Sequence, residues 1–174
     1  VLHPLIDASI KVSQEYKVPE EQIEVLEIFV HPDVIRITGV DAPGSGLMSK
    51  FSANHAVAVS YIDRAGGVAQ FSNEKAQQPR VQALRKIVKV TPVSSYRLDQ
   101  ATAVIRTKDG KSYEAKIEHA TGTVANPMSD QSLEAKFLGN TTAVMGKDNA
   151  NNAIKMLWNL ENVDNINSVI RLFA

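Results

Sequence analysis

The sequence predicts an α+β fold, an antiparallel sheet of about four strands packed by helices, as a single domain over residues 1–174. Three observations carry that prediction. Ala101, Ala103 and Ile105 alternate with Thr102, Val104 and Arg106, and Tyr113, Ala115 and Ile117 alternate with Glu114, Lys116 and Glu118; this is the period of two that a strand requires. Between the two runs stands Lys108-Asp109-Gly110-Lys111, whose glycine supplies the positive φ of a tight hairpin turn. Elsewhere apolar residues recur at helical spacing in runs that open on capping residues.

From the N-terminus, Leu2, Leu5, Ile6, Ser9, Ile10 and Val12 predict a helix reaching Tyr16, ended by Lys17-Val18-Pro19. His3 and Asp7 lie four positions apart on one flank of it. Pro19-Glu20-Glu21 reads as a loop or a short turn. Leu26, Ile28 and Val30 alternate with Glu27 and Phe29 as a strand, which His31-Pro32 closes. Residues 33 to 45 read as a turn-rich crossing. The stretch Gly46 to Gly67 then predicts one long helix, packed against the sheet and stopped by Gly66-Gly67. Ala53, Ala56, Val57, Ala58, Val59, Tyr61 and Ile62 leave it no polar face, the mark of a buried helix.

Further on, Ser72 is placed to cap a short helix and Pro79 to open another, with Val81, Leu84 and Val88 inward and Arg80, Arg85 and Lys86 on a solvated face. Val88 and Val90 also suggest a strand. After the hairpin, the loop His119 to Met128 leads to Ser129-Asp130, an N-cap for a helix with Leu133, Phe137 and Leu138 inward. Asp148 and Asp164 are expected to cap two more helices, carrying Ile154, Leu157 and Trp158, then Ile166, Val169 and Ile170.

Composition narrows the function. Hydrophobic residues make up 44% and charged residues 22% of the chain, as in soluble globular proteins, and nineteen basic side chains balance nineteen acidic ones. No basic run marks a nucleic-acid or anionic-membrane partner. No apolar run reaches bilayer length. The absence of cysteine removes disulfides, thiolate nucleophiles and sulfur-ligated metals, and fits a reducing compartment such as the cytoplasm. A chain beginning with Val1 in an apparent helix reads as a piece of a longer one.

Catalytic templates are mostly missing: there is no Gly-x-Ser-x-Gly elbow, P-loop, dinucleotide fingerprint or His-Glu-x-x-His helix. His3, His31, His55 and His119 are too scattered for a metal cluster unless the fold gathers them. Only His3 and His55 lie in apolar helices, where burial tunes an imidazole's pKa. His55 shares a stripe with Phe51, Ala58, Val59 and Ile62. Two roles fit it: a core histidine bonded to a backbone carbonyl, or a proton-transfer group.

Four phrases in order, LHPLIDAS at Leu2 to Ser9, SKFSANHAVAV at Ser49 to Val59, FSNEKAQQPRVQAL at Phe71 to Leu84 and NPMSDQSLEAKF at Asn126 to Phe137, give a chain that resembles the C-terminal part of the MmgE/PrpD family. That family includes 2-methylcitrate dehydratases, cis-aconitate decarboxylases and iminodisuccinate epimerases. The resemblance implies a cytoplasmic enzyme (mitochondrial in a eukaryote), homodimeric, with a helical N-terminal domain and a smaller α+β domain. It further implies that the two act at their junction on small di- or tricarboxylic acids, without metal or organic cofactor, by moving a proton at the carbon next to a carboxylate. The family's His-x-x-x-Asp-Ala pattern maps onto His3, Asp7 and Ala8 and implies a catalytic role for His3, with Asp7 as a substrate-binding residue beside it. A family lysine a few residues upstream of that histidine would fall before Val1. His55 stands where most relatives carry tyrosine and a subset histidine, and Lys50, at the start of the same helix, is a candidate carboxylate-binding cation. The reading is a lyase or isomerase domain inactive on its own; the alternative is a non-catalytic assembly or dimerisation module that keeps the fold.

Overall fold

A computed structural model of the chain describes residues 1–173. Where one domain is expected, the chain falls into two compact units, Val1–Pro127 and the segment from Met128 onward.

The first unit opens on α1, His3–Tyr16, with Pro4 in the first turn, where a missing N–H removes no helical hydrogen bond. Leu5, Ala8 and Val12 face the core, and Lys17 ends the helix in the left-handed region, its N–H donating to the Ser13 carbonyl. A single 3₁₀ turn, Glu20–Gln22, leads into β1, Ile23–Val30. Next come α2 (Pro32–Ile37), α3 (Gly46–Ser49), α4 (Ala53–Asp63), a 3₁₀ turn at Val68–Phe71, α5 (Asn73–Gln77) and α6 (Pro79–Arg85). β2 (Val88–Pro92), β3 (Ala101–Thr107) and β4 (Ser112–Ile117) complete the sheet.

The four strands lie in the order β2-β1-β3-β4. β3 pairs antiparallel with both β1 and β4, and Gly110 turns the β3–β4 hairpin at φ +82°. The all-antiparallel expectation needs one correction, because β1 and β2 are parallel, from Leu26 opposite Val88 to Val30 opposite Pro92. The intervening helices α2 to α6 form the crossover that a parallel pair requires. On one face of the sheet Leu26, Ile28, Val30, Ala103 and Ile105 meet Leu5, Val12, Val57 and Val59 in a single core. On the other face the buried Glu27 accepts a hydrogen bond from Thr91 Oγ1 at 2.7 Å and pairs with Lys89 at 3.0 Å and Arg106 at 3.3 Å. These bonds hold its carboxyl below the usual range against the opposing effect of burial.

The expected Gly46–Gly67 helix is two helices. Residues 38–40 pair with 51–53, Val40 N–H donating to the Phe51 carbonyl at 3.1 Å and Ala53 N–H to the Thr38 carbonyl at 3.0 Å. That bridge draws the backbone out of helical geometry, Ser52 caps a new start, and the exposed Phe51 drops off the stripe it was expected to share with His55. α4 packs chiefly on α1 and α6, reaching the sheet at β2. Residues 32–37, read as loop, form α2, since the His31 ring accepts from Asp33 N–H and Pro32 supplies a preset φ. Val88 belongs to β2 rather than to the inner face of α6. Arg85 is not fully solvated, its Nη1 being buried.

In the second unit Ser129 caps α7, Asp130–Met145, by accepting from Ser132 N–H. None of its side chains is fully buried, and Leu133, expected inward, is exposed. α8 is Lys147–Leu157 and α9 Asn167–Ile170. Trp158 Nε1 donates to Glu134 at 2.8 Å, and Phe137 meets Phe173 edge-on. Neither expected aspartate caps a helix: Gly146 precedes α8, placing Asp148 in its first turn, and Asn165, not Asp164, accepts from Asn167 N–H before α9.

Candidate functional site

His55 is the centre of the candidate site. The Ser52 hydroxyl accepts its backbone N–H at 3.1 Å, fixing the first turn of α4, and the imidazole is wholly buried. Ring Nε2 lies 2.9 Å from the Gln70 carbonyl. A carbonyl oxygen only accepts, so the proton sits on Nε2 and the neutral ring turns its Nδ1 lone pair the other way. Nδ1 has no hydrogen-bond partner. The ring of Phe71, with centroids 5.6 Å apart, packs against the imidazole.

The carbonyl that fixes this tautomer is itself held. Gln70 Oε1 accepts from Gly67 N–H at 3.0 Å and its Nε2 donates to Asp63 at 3.0 Å, while Lys75 Nζ closes on Asp63 at 2.6 Å. Burial raises the Asp63 pKa, but the bonds from Gln70 and Lys75 outweigh it and keep the carboxyl below its usual range. Across the chain, Gly46 N–H donates to Asn73 at 2.7 Å, seating α3 on the same segment.

Electrostatics keep His55 neutral. Burial lowers its pKa by penalising the imidazolium, the Gln70 bond works the other way, and the positive charge of Arg85 lowers it further. Arg85 ends α6, which packs on α4. Its Nη1 and the Oε1 of Gln78, the residue that precedes α6, are buried and lack partners. Neither stood out in the sequence. Their one signal was spacing, since positions 78 and 85 fall on one helical face with the buried Val81.

The other candidates are placed differently. His3 is exposed in the first turn of α1, and Lys50 is exposed just after α3. Asp7 accepts from Thr121 N–H at 2.7 Å, so its carboxylate ties α1 to the loop after β4. Among the described residues no hydrogen bond or ion pair joins any two of His3, Asp7, Lys50 and His55. The polar bond from α1 to α4, Ser13 Oγ to the Tyr61 carbonyl at 2.8 Å, lies at the far end of each helix from its histidine.

Fold and site together define a class: an α+β domain with a four-stranded sheet packed by helices and a neutral, backbone-anchored imidazole held between α4 and the 3₁₀ turn that carries Gln70 and Phe71. The family model of the MmgE/PrpD C-terminal domain matches residues 1–162, and the chain belongs to that family. It is similar to a cis-aconitate decarboxylase of Mus musculus, 24% identical over 179 residues that cover 98% of this chain and 36% of that protein. The chain therefore spans about a third of the length of the curated relative it matches.

Proposed function

We propose that this chain serves as the C-terminal domain of a lyase or isomerase of di- or tricarboxylic acids, one that moves a proton at the carbon next to a carboxylate and needs no metal or organic cofactor. The observation that carries this reading is the state of His55: neutral, locked in one tautomer by the Gln70 carbonyl, and holding an unpartnered Nδ1 lone pair. Such a nitrogen is a base at neutral pH. It accepts the proton from the substrate carbon while the C–H electron pair passes into the adjacent carboxylate system. In a decarboxylation Nδ1 instead first takes a proton from solvent and passes it to the carbon that has lost carbon dioxide, where the C–C electron pair accepts it. His3 is assigned a second proton-carrying role and Lys50 a carboxylate-binding one, both from exposed positions.

Leu47, Met48, Phe51 and Val68, all exposed, lie on α3, just after it, and on the 3₁₀ turn that carries Gln70. Apolar side chains grouped in this way suit a covering partner, and the helical N-terminal domain implied by the family is the one proposed, within a cytoplasmic homodimer. One observation favours the alternative, a non-catalytic assembly module: His55 is fully enclosed within this chain. The two readings separate in an assay of the full-length protein on methylcitrate, cis-aconitate and iminodisuccinate. His55→Ala is expected to lower kcat/KM about a hundredfold, and His55→Tyr to cost less and to alter substrate preference. Unchanged rates in His55→Ala would leave the module reading standing.

A further inference from the structure

Two strands form the edges of the sheet, β2 and β4. An exposed edge offers a row of unpaired backbone groups to any further strand. β2 is blunted by its own composition, since it runs for five residues and ends on Pro92, which has no N–H to offer. β4 has six residues and neither proline nor glycine, so its protection must come from outside the strand.

Side chains supply it. Thr107 N–H donates to the Lys111 carbonyl at 3.0 Å, and Tyr113, Ala115 and Ile117 stand opposite Ile105, Ala103 and Ala101. The odd-numbered residues of β4 therefore turn their backbone groups to β3, and the even-numbered ones turn theirs outward. From Glu114 onward each outward carbonyl accepts from a side chain. The Tyr16 hydroxyl donates to Glu114 at 3.0 Å, Lys11 Nζ to Lys116 at 3.2 Å and, just past the strand, Arg97 Nη2 to Glu118 at 2.6 Å. Two of these donors come from α1, which packs on β4, and the third from the loop between β2 and β3.

We propose that the β4 edge is a latent pairing surface for a second copy of this chain, held shut by Tyr16, Lys11 and Arg97. The strand's own sequence selects that occupant. In a two-fold antiparallel pairing centred on Ala115, Glu114 of one copy falls opposite Lys116 of the other, and the reverse. Both residues turn their backbone groups outward, so they form the kind of pair that exchanges two N–H···O bonds. Their side chains then meet on one face with opposite charge, which favours the pairing. The two carbonyls this pairing needs are the ones that Tyr16 and Lys11 occupy. An incoming strand would have to displace a phenol packed on Tyr113, with ring centroids 4.9 Å apart, and an ammonium group. Arg97, bonded also to Asp99 at 3.3 Å, closes the C-terminal end of the edge.

The test is hydrogen exchange of the Glu114 and Lys116 amides in the whole chain, read by NMR at micromolar and at millimolar concentration. Dimerisation through another surface leaves these two amides unprotected, so they report the edge alone. In the parent their rates should not depend on concentration. Lys11→Met, Tyr16→Phe and Arg97→Met together remove the three donors while keeping the ring and the apolar stems. In that variant both amides should slow roughly tenfold or more at the higher concentration. Should the triple variant fail to fold, the Lys11→Met and Tyr16→Phe pair carries the same expectation. Adding Glu114→Lys sets lysine against lysine across the pairing and should abolish the slowing. Any of three results overturns the proposal: concentration-dependent protection of the two amides in the parent, rates independent of concentration in the folded variant that lacks the caps, or slowing that survives Glu114→Lys.

Discussion

Gly46→Ala offers the sharpest test of how the His55 anchor is built. A Cβ at position 46 would collide with the Phe71 carbonyl oxygen and stand 2.7 Å from Ser72 C and 2.9 Å from Asn73 N. All three are backbone atoms, so no rotamer change relieves the clash, and residues 71–73 must retreat by about 1 Å to reach ordinary contact distance. Forced overpacking of this kind costs about 1–3 kcal/mol. Moving Asn73 also weakens the bond its side chain accepts from Gly46 N–H, worth about 1 kcal/mol more. The sum, about 2–4 kcal/mol, corresponds to a fall in Tm of roughly 5–15 °C for a unit of this size. The same shift moves the Gln70 carbonyl, adjacent to Phe71, off the His55 ring. Urea and thermal unfolding give the stability, and the nitrogen-15 shifts of the imidazole report the tautomer. A variant that keeps the parent's Tm and a proton fixed on Nε2 would refute both the packing argument and the idea that α3 supports the site.

The enclosed imidazole also makes stability depend on pH. Because His55 has a lower pKa folded than unfolded, the unfolded chain binds more protons, so its contribution is complete above about pH 6.5 and declines as pH falls below that value, by at most about 1.4 kcal/mol per pH unit. His55→Gln should flatten that part of the stability profile between pH 5 and 7, measured by urea unfolding; an unchanged slope would show that the ring is not protected from protonation. Glu27→Gln removes the charge that Lys89 and Arg106 share, but those cations are 63% and 54% exposed and regain water, so the loss at pH 7 is expected to be about 1–2 kcal/mol, most of it from the Thr91 bond. That loss should begin to shrink as pH falls below about 4.5, where the unfolded chain takes up its proton on Glu27 before the folded one does, and calorimetry at pH 7 and in acid checks it. Ser52→Ala should cost about 1 kcal/mol through the lost cap on His55 N–H, and Ser52→Gly only a few tenths by the same measurement.

Local rules determined much of this protein from sequence alone. The β3–β4 hairpin, the caps at Ser72 and Ser129, the opening of α6 at Pro79 and the core stripe of α1 follow from turn chemistry and periodicity, which act within a few residues. The same local reading placed His55 in a wholly apolar helix, and its burial follows. What sequence could not supply was pairing at a distance. The parallel partnership of β1 and β2 joins residues about sixty apart, and neither strand's pattern specifies its neighbour's direction. The break before α4 depends on residues 38–40 capturing the backbone of 51–53, a contact that overrides strong helical periodicity. The site divides along the same line. One histidine was visible as a polar residue in an apolar stripe, whereas Arg85 was read as part of a solvated face and only the packed structure shows its Nη1 to be buried.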